Sequence, residues 1–117
     1  MTNKMTKLKE WGCDVDGALE RLVGDVAFYE ECLQVFTEDD NFASLGKALE
    51  EKEYDSAFEY AHTIKGVAAN LGLTPVFDKA SDIVEPLRAK DYSDLDVQYR
   101  AVCDAQKTFC DIMSASV

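Results

Sequence analysis

At 117 residues, with 47% hydrophobic and 30% charged side chains, the chain is long enough for one packed core and too short for two. Its 23 Asp and Glu against 12 Lys and Arg give a net charge of −11, which argues against nucleic acid and anionic membranes and suits a protein partner. No apolar run approaches the roughly 20 residues of a membrane span, and Met1–Glu10 is charged with no apolar stretch behind it, so a cytoplasmic protein is expected.

No stretch alternates as a strand does, so the chain reads as helices with short connections. A short first helix is predicted over residues 3–10. Asp14 is placed to cap a second, running through Leu19, Leu22 and Val23. Gly24-Asp25 stops it and offers the next cap. Phe28, Cys32 and Val35, then Phe42, Leu45 and Leu49, form the next apolar face. Glu38-Asp39-Asp40-Asn41 interrupts that face and leaves open one kinked helix or two in sequence.

Tyr54, Ala57, Ala61, Ile64, Ala68 and Leu71 recur at spacings of three and four, the core stripe of a bundle helix. Gly72 is expected to cap its C-terminus. Thr74-Pro75 opens the next helix as N-cap and first residue. Val76, Phe77, Ala80, Ile83, Val84 and Leu87 point inward there, and Pro86 is expected to bend or loosen the last turn. After a polar link at Asp91–Asp94, the final helix carries Leu95, Tyr99, Val102, Phe109, Ile112 and Met113, with Cys103 and Cys110 at the same period. Amphipathic segments joined by short links pack as antiparallel neighbours. The predicted fold is all-α: an up-down antiparallel four-helix bundle with a short N-terminal cap helix. It forms one domain over residues 1–117, with its core bundle at about 25–114. The Met1 start and the lack of a linker suggest a free-standing protein.

The four cysteines, Cys13, Cys32, Cys103 and Cys110, contain no Cys-x-x-Cys pair. Cys103 and Cys110 lie about 10 Å apart in helical rise, too far to bridge. They read as free buried thiols acting as small hydrophobes.

The chain has a single histidine, His62, followed by Lys65 and Gly66 inside the clearest helix. At about 100° per residue, His62 projects about 130° from the centre of the Ala57–Ala61–Ala68 stripe. It belongs to a polar or small stripe of Asp55, Glu59, His62, Gly66 and Ala69, which faces solvent. Lys65 lies at the border of the core face, where its ammonium can snorkel toward the imidazole. Gly66 costs roughly 1 kcal/mol relative to alanine in mid-helix.

A neutral imidazole is a competent nucleophile for phosphoryl transfer, and it must be exposed if its donor is a macromolecule. Gly66 and Ala69 remove bulk beside it, and Lys65 supplies positive charge for phosphoryl oxygens in an acidic chain. Taken singly, a surface histidine or a lysine three residues on is ordinary; the combination is not. Glu59-x-x-His62 has the spacing of di-iron bundles, but those need two such pairs facing inward. No Gly-rich phosphate loop followed by Lys-Ser/Thr is present.

The run His62-x-Ile64-Lys65-Gly66-x-Ala68-x-x-Leu71-Gly72 resembles the active helix of histidine-containing phosphotransfer (HPt) domains. Leu49–Tyr54 before it and Ala80–Glu85 after it resemble the family too, and the likeness covers about residues 14–114. It implies an up-down four-helix bundle that serves as a phosphorelay intermediate. His62 would accept a phosphoryl group from a receiver-domain aspartyl phosphate and pass it to another receiver aspartate. Lys65 would stabilise the group, and Gly66 would admit the partner. The resemblance implies no kinase activity and no cofactor or metal of the chain's own, Mg²⁺ being supplied by the receiver. The implied partners are receiver domains of response regulators or hybrid histidine kinases, met by a monomer, with a docking surface expected around His62 that includes residues of the N-terminal cap helix near Trp11 and Val15. The alternative is a phosphorylation-independent module that docks on a receiver or kinase, a role taken by family members that lack the histidine.

Overall fold

Seven helices make up the regular structure of residues 3–115, the part of the chain that the computed structural model describes. They are α1 (Asn3–Trp11), α2 (Val15–Arg21), α3 (Val26–Thr37), α4 (Asn41–Glu50), α5 (Tyr54–Asn70), α6 (Thr74–Arg88) and α7 (Leu95–Ser114). There is no strand among the described residues. Helix α5 packs against α4 and α6, α6 against α7, and α7 against α3 and α1.

Local chemistry accounts for most boundaries. Asp14 accepts a hydrogen bond from the Gly17 N–H at 3.0 Å, and Asp25 accepts one from the Phe28 N–H at 3.0 Å, so both predicted caps form. Helix α2 stops at Arg21, short of the predicted Leu22 and Val23, because Val23 and Gly24 turn out of the helix with φ of 57° and 75°. The Glu38–Asn41 interruption separates two helices. There the Asp39 carboxylate accepts from both the backbone N–H and the side-chain amide of Asn41 at 2.7 Å.

Helix α5 buries Ala57, Ala61, Ile64 and Ala68 as its period predicts, and small alanines let its neighbours approach closely. It ends in a Schellman motif: Leu73 N–H bonds the Ala68 carbonyl at 2.9 Å and Gly72 N–H that of Ala69 at 3.2 Å. Gly72 adopts φ +70°, and a Cβ there would collide with the Asp14 carbonyl. The Asp14 N–H donates to the Gly72 carbonyl at 2.7 Å. The α1–α2 link is thereby docked on the end of α5. Arg21 adds a second clamp, its Nη2 donating to the carbonyls of Ala69 and Asn70 at 2.9 and 3.0 Å.

Other expectations are corrected in α3 and α6. The buried face of α3 is Tyr29, Leu33 and Phe36, one residue along from the predicted stripe. Phe28 and Val35 are left 48% and 66% exposed. The segment carries two apolar stripes side by side, and the tertiary partners choose. Tyr29 donates its hydroxyl to the Leu71 carbonyl at 2.7 Å, while Phe36 sits 5.6 Å from Phe42 and 5.7 Å from Phe109, ring centre to ring centre. These aromatics bury more surface with no polar group left unpaired. The N-cap of α6 is Leu73 rather than Thr74, because the Leu73 carbonyl already accepts a helical bond from the Phe77 N–H at 2.9 Å. Pro86 leaves the last turn intact: Ala89 N–H still reaches the Glu85 carbonyl at 3.0 Å, and Asp91 N–H reaches that of Pro86 at 2.9 Å. A proline so near the helix end costs one bond and leaves the following turn to close normally.

Helix α7 buries Leu95, Val102, Ala105, Phe109 and Met113. Tyr99 lies over Gly46 of α4 and donates to the Phe42 carbonyl at 2.9 Å. All four cysteines are free, but only Cys13 is buried. Burial pushes the Cys13 thiol up to about 12, opposed by a backbone hydrogen bond at Thr74.

Candidate functional site

His62 sits midway along α5, and the stripe Asp55, Glu59, His62, Gly66 and Ala69 is exposed at every position. Its imidazole stacks on Phe58 one turn back, with ring centres 5.6 Å apart and planes inclined by 26°. Nothing lies within 4 Å of where a Gly66 Cβ would stand. The other two helical glycines differ: a Cβ at Gly46 would strike the Tyr99 hydroxyl, and one at Gly17 the Asp14 carboxylate. Internal packing therefore explains Gly17 and Gly46 and leaves Gly66 unexplained. The open space beside the imidazole faces outward.

Lys65 is half-buried on the α6 side of α5, as its phase predicts. Its ammonium turns to α6, however, rather than being held at the imidazole. Its nitrogen stands 3.9 Å from a Glu85 carboxylate oxygen and 5.6 Å from the centre of the Phe77 ring. The second Glu85 oxygen lies 3.6 Å from Arg88 Nε. The Arg88 guanidinium in turn sits 5.4 Å over Phe58, the ring on which His62 stacks. Two cations thus lie on the α6 side of this part of α5, Lys65 one turn from His62 and Arg88 over the ring on which His62 stacks, in a protein of net charge −11.

The sequence pattern finds His62, Lys65 and Gly66 because one helical period relates them. It misses Phe58, Glu85 and Arg88 as neighbours of the site. Phe58 carries a usable signal, being four residues before His62 on the same helix. Glu85 and Arg88 carry none, since their place depends on how α6 is set against α5.

Trp11 and Val15 do not belong to this surface. Val15 is a core residue, and the half-buried Trp11 borders a hollow with Pro75 and Lys79 of α6 and Thr108 of α7. The apolar surface left open lies on α3. There Phe28, Cys32 and Val35 line a groove with Val67 and Asn70, one to two turns beyond His62 on α5. Glu59 and His62 have no metal-binding company: no three His, Cys, Asp or Glu side chains gather among the described residues. No helix among those residues is long and apolar enough to cross a membrane.

The sequence model of the Hpt domain matches residues 31–106, and the chain belongs to that family. The match runs from α3 into α7 and contains the whole site. Hpt domains perform histidine phosphotransfer in two-component signalling, are carriers rather than kinases, and interact with receiver domains. No curated protein and no solved structure matches the chain.

Proposed function

We propose that the protein is a phosphorelay intermediate in which His62 takes a phosphoryl group from the aspartyl phosphate of one receiver domain and yields it to the aspartate of another. The unprotonated ring nitrogen attacks phosphorus, the P–N bond forms, and the P–O bond to the aspartate breaks. The carboxylate leaves with the electron pair. The proton on the other ring nitrogen stays, so the ring carries the compensating positive charge and total charge is conserved. The return step is the same sequence reversed on a second carboxylate, with no oxidation or reduction. The magnesium ion for this chemistry comes with the receiver, and the chain contributes no cofactor.

The observation that carries this reading is the empty space at Gly66 beside an exposed imidazole. Glycine weakens a helix interior, and at Gly66, unlike Gly17 and Gly46, nothing inside the protein uses the room it leaves, which is read as clearance for a partner. Lys65 is the cation that meets the incoming phosphoryl oxygens, one turn from the nucleophile. The contacts of α5 with α4 and α6, of α6 with α7, and of α7 with α4 support an up-down four-helix bundle of α4–α7, with α3 and α1 packed on α7 and α2 between them, in one domain. The acidic charge suits a cytoplasmic monomer that binds proteins and not nucleic acid.

The test is incubation with a phosphorylated receiver domain and Mg²⁺. The wild type acquires an acid-labile, alkali-stable phosphoryl adduct. His62→Gln acquires none and keeps its helical circular dichroism. Adduct formation on the variant would remove His62 from the mechanism. Stable receiver binding with no adduct on the wild type would favour the phosphorylation-independent docking module instead.

A further inference from the structure

We propose that Glu85 is a positioning residue that competes with the phosphoryl group for Lys65 and Arg88, and so sets how readily the loaded histidine gives its phosphoryl group up. The proposal rests on His62 being the acceptor and concerns what tunes it. The geometry is specific. The two oxygens of one carboxylate face two different cations, Lys65 at 3.9 Å and Arg88 at 3.6 Å. Both cations belong to the border of the histidine: Lys65 is one turn along the same helix, and Arg88 covers the ring against which the imidazole stacks. Neither pair is short, and the Glu85 side chain is 61% exposed, so each cation is held loosely in the unloaded protein.

Loading changes the balance. A phosphoryl group on His62 brings up to two negative charges and three acceptor oxygens within a turn of Lys65, against one charge on Glu85. The flexible lysine stem can serve either anion, not both at full strength. While His62 is empty, Glu85 keeps the cations gathered at the site and lowers their free energy there. That stabilisation is surrendered on loading, and the loaded state is correspondingly less favoured. A carrier that must donate as well as accept is suited by such a counterweight. Without it, the phosphohistidine would lie deeper and return its group less readily.

The measurement is the equilibrium between loaded protein and loaded receiver, taken with Mg²⁺ at concentrations too low to populate the complex. Under those conditions docking contacts cancel, and the ratio reports only the free proteins. Wild type is first loaded with phosphoramidate, a small donor that needs no partner. Glu85→Gln, which removes the charge and keeps the shape, should shift the equilibrium toward the loaded protein by about two- to fivefold, the range that exposed ion pairs command. In a Lys65→Ala/Arg88→Ala background the same substitution should shift it by less than about 1.5-fold, because no cations remain to compete for.

An unchanged equilibrium for Glu85→Gln, or a shift toward the receiver, overturns the proposal. An equal shift in the background without the two cations also overturns it, since Glu85 would then act by its own charge alone. A wild type that loads with neither phosphoramidate nor receiver overturns the acceptor assignment and this proposal with it. The first two outcomes leave that assignment standing.

Discussion

Gly66→Ala separates what the helix wants from what a partner needs. The added methyl enters a space with no atom within 4 Å, so it creates no clash inside the protein. Alanine in a helix interior is favoured over glycine by roughly 0.5–1 kcal/mol, and the variant should be more stable by that amount. For a domain of this size, the gain raises the melting temperature by roughly 2–6 °C. The same methyl stands on the side from which a receiver must approach His62. If it holds the reacting atoms apart by about 1 Å, transfer slows on the order of 100-fold. A thermal melt followed by circular dichroism reads the first effect, and single-turnover transfer from a phosphorylated receiver reads the second. Loading by phosphoramidate should stay within about twofold of wild type, because a small donor does not need the clearance a protein surface needs. A lowered melting temperature would mean that the space is used internally. A raised one with unchanged receiver transfer would falsify the claim that Gly66 is clearance for a partner.

Other outcomes follow from the same contacts. Lys65→Ala should slow receiver-dependent transfer by about tenfold while the fold survives, since only a loose ion pair and a ring contact are lost; unchanged kinetics would take Lys65 out of the mechanism. Gly72→Ala places a Cβ against the Asp14 carbonyl in left-handed backbone and should cost about 2–5 kcal/mol in urea denaturation, with a loss under about 1 kcal/mol contradicting the docked α1–α2 link. Tyr29→Phe strips the hydroxyl from the buried Leu71 carbonyl and should cost about 1–3 kcal/mol; an isoenergetic variant would show that bond to be dispensable. Burial raises the Cys13 thiol from 9.0 to about 12 and, with a hydrogen bond from the Tyr99 hydroxyl to Cys103 adding to it, the Tyr99 hydroxyl from 10.0 to about 12. Both groups then keep their protons in the folded state after the unfolded chain has lost them. Their contribution is complete below pH 9 and declines between 9 and 12. Chemical denaturation across pH 7–12 should show a plateau and then this fall, and Cys13→Ala should make the fall shallower.

Much of the site is legible in one helix. The spacing of Ala57, Ala61, Ile64 and Ala68 fixes the inward direction, and the exposure of His62 and Gly66 follows by rotation alone. The caps at Asp14 and Asp25 are likewise local, since a short acceptor side chain and the next free N–H groups are all they need. The face of α3 is not legible locally, for the opposite reason. Phe28–Cys32–Val35 and Tyr29–Leu33–Phe36 are equally periodic. Only the Leu71 carbonyl and the Phe109 ring, far along the chain, and the Phe42 ring across the link to α4 favour the second.

The sequence by itself determined the helical class, most of the run of elements, and the outward-facing histidine with its lysine and glycine, because each depends on residues within a turn or two of one another. Tertiary structure alone decided which stripe of α3 is core, that Gly72 seats the Asp14 backbone, and that Lys65 leans to Glu85 on α6. It also brought Arg88 over the ring beneath His62. Those choices turn on how one helix is rotated and shifted against another, a register set by packing across the whole core and carried by no local pattern.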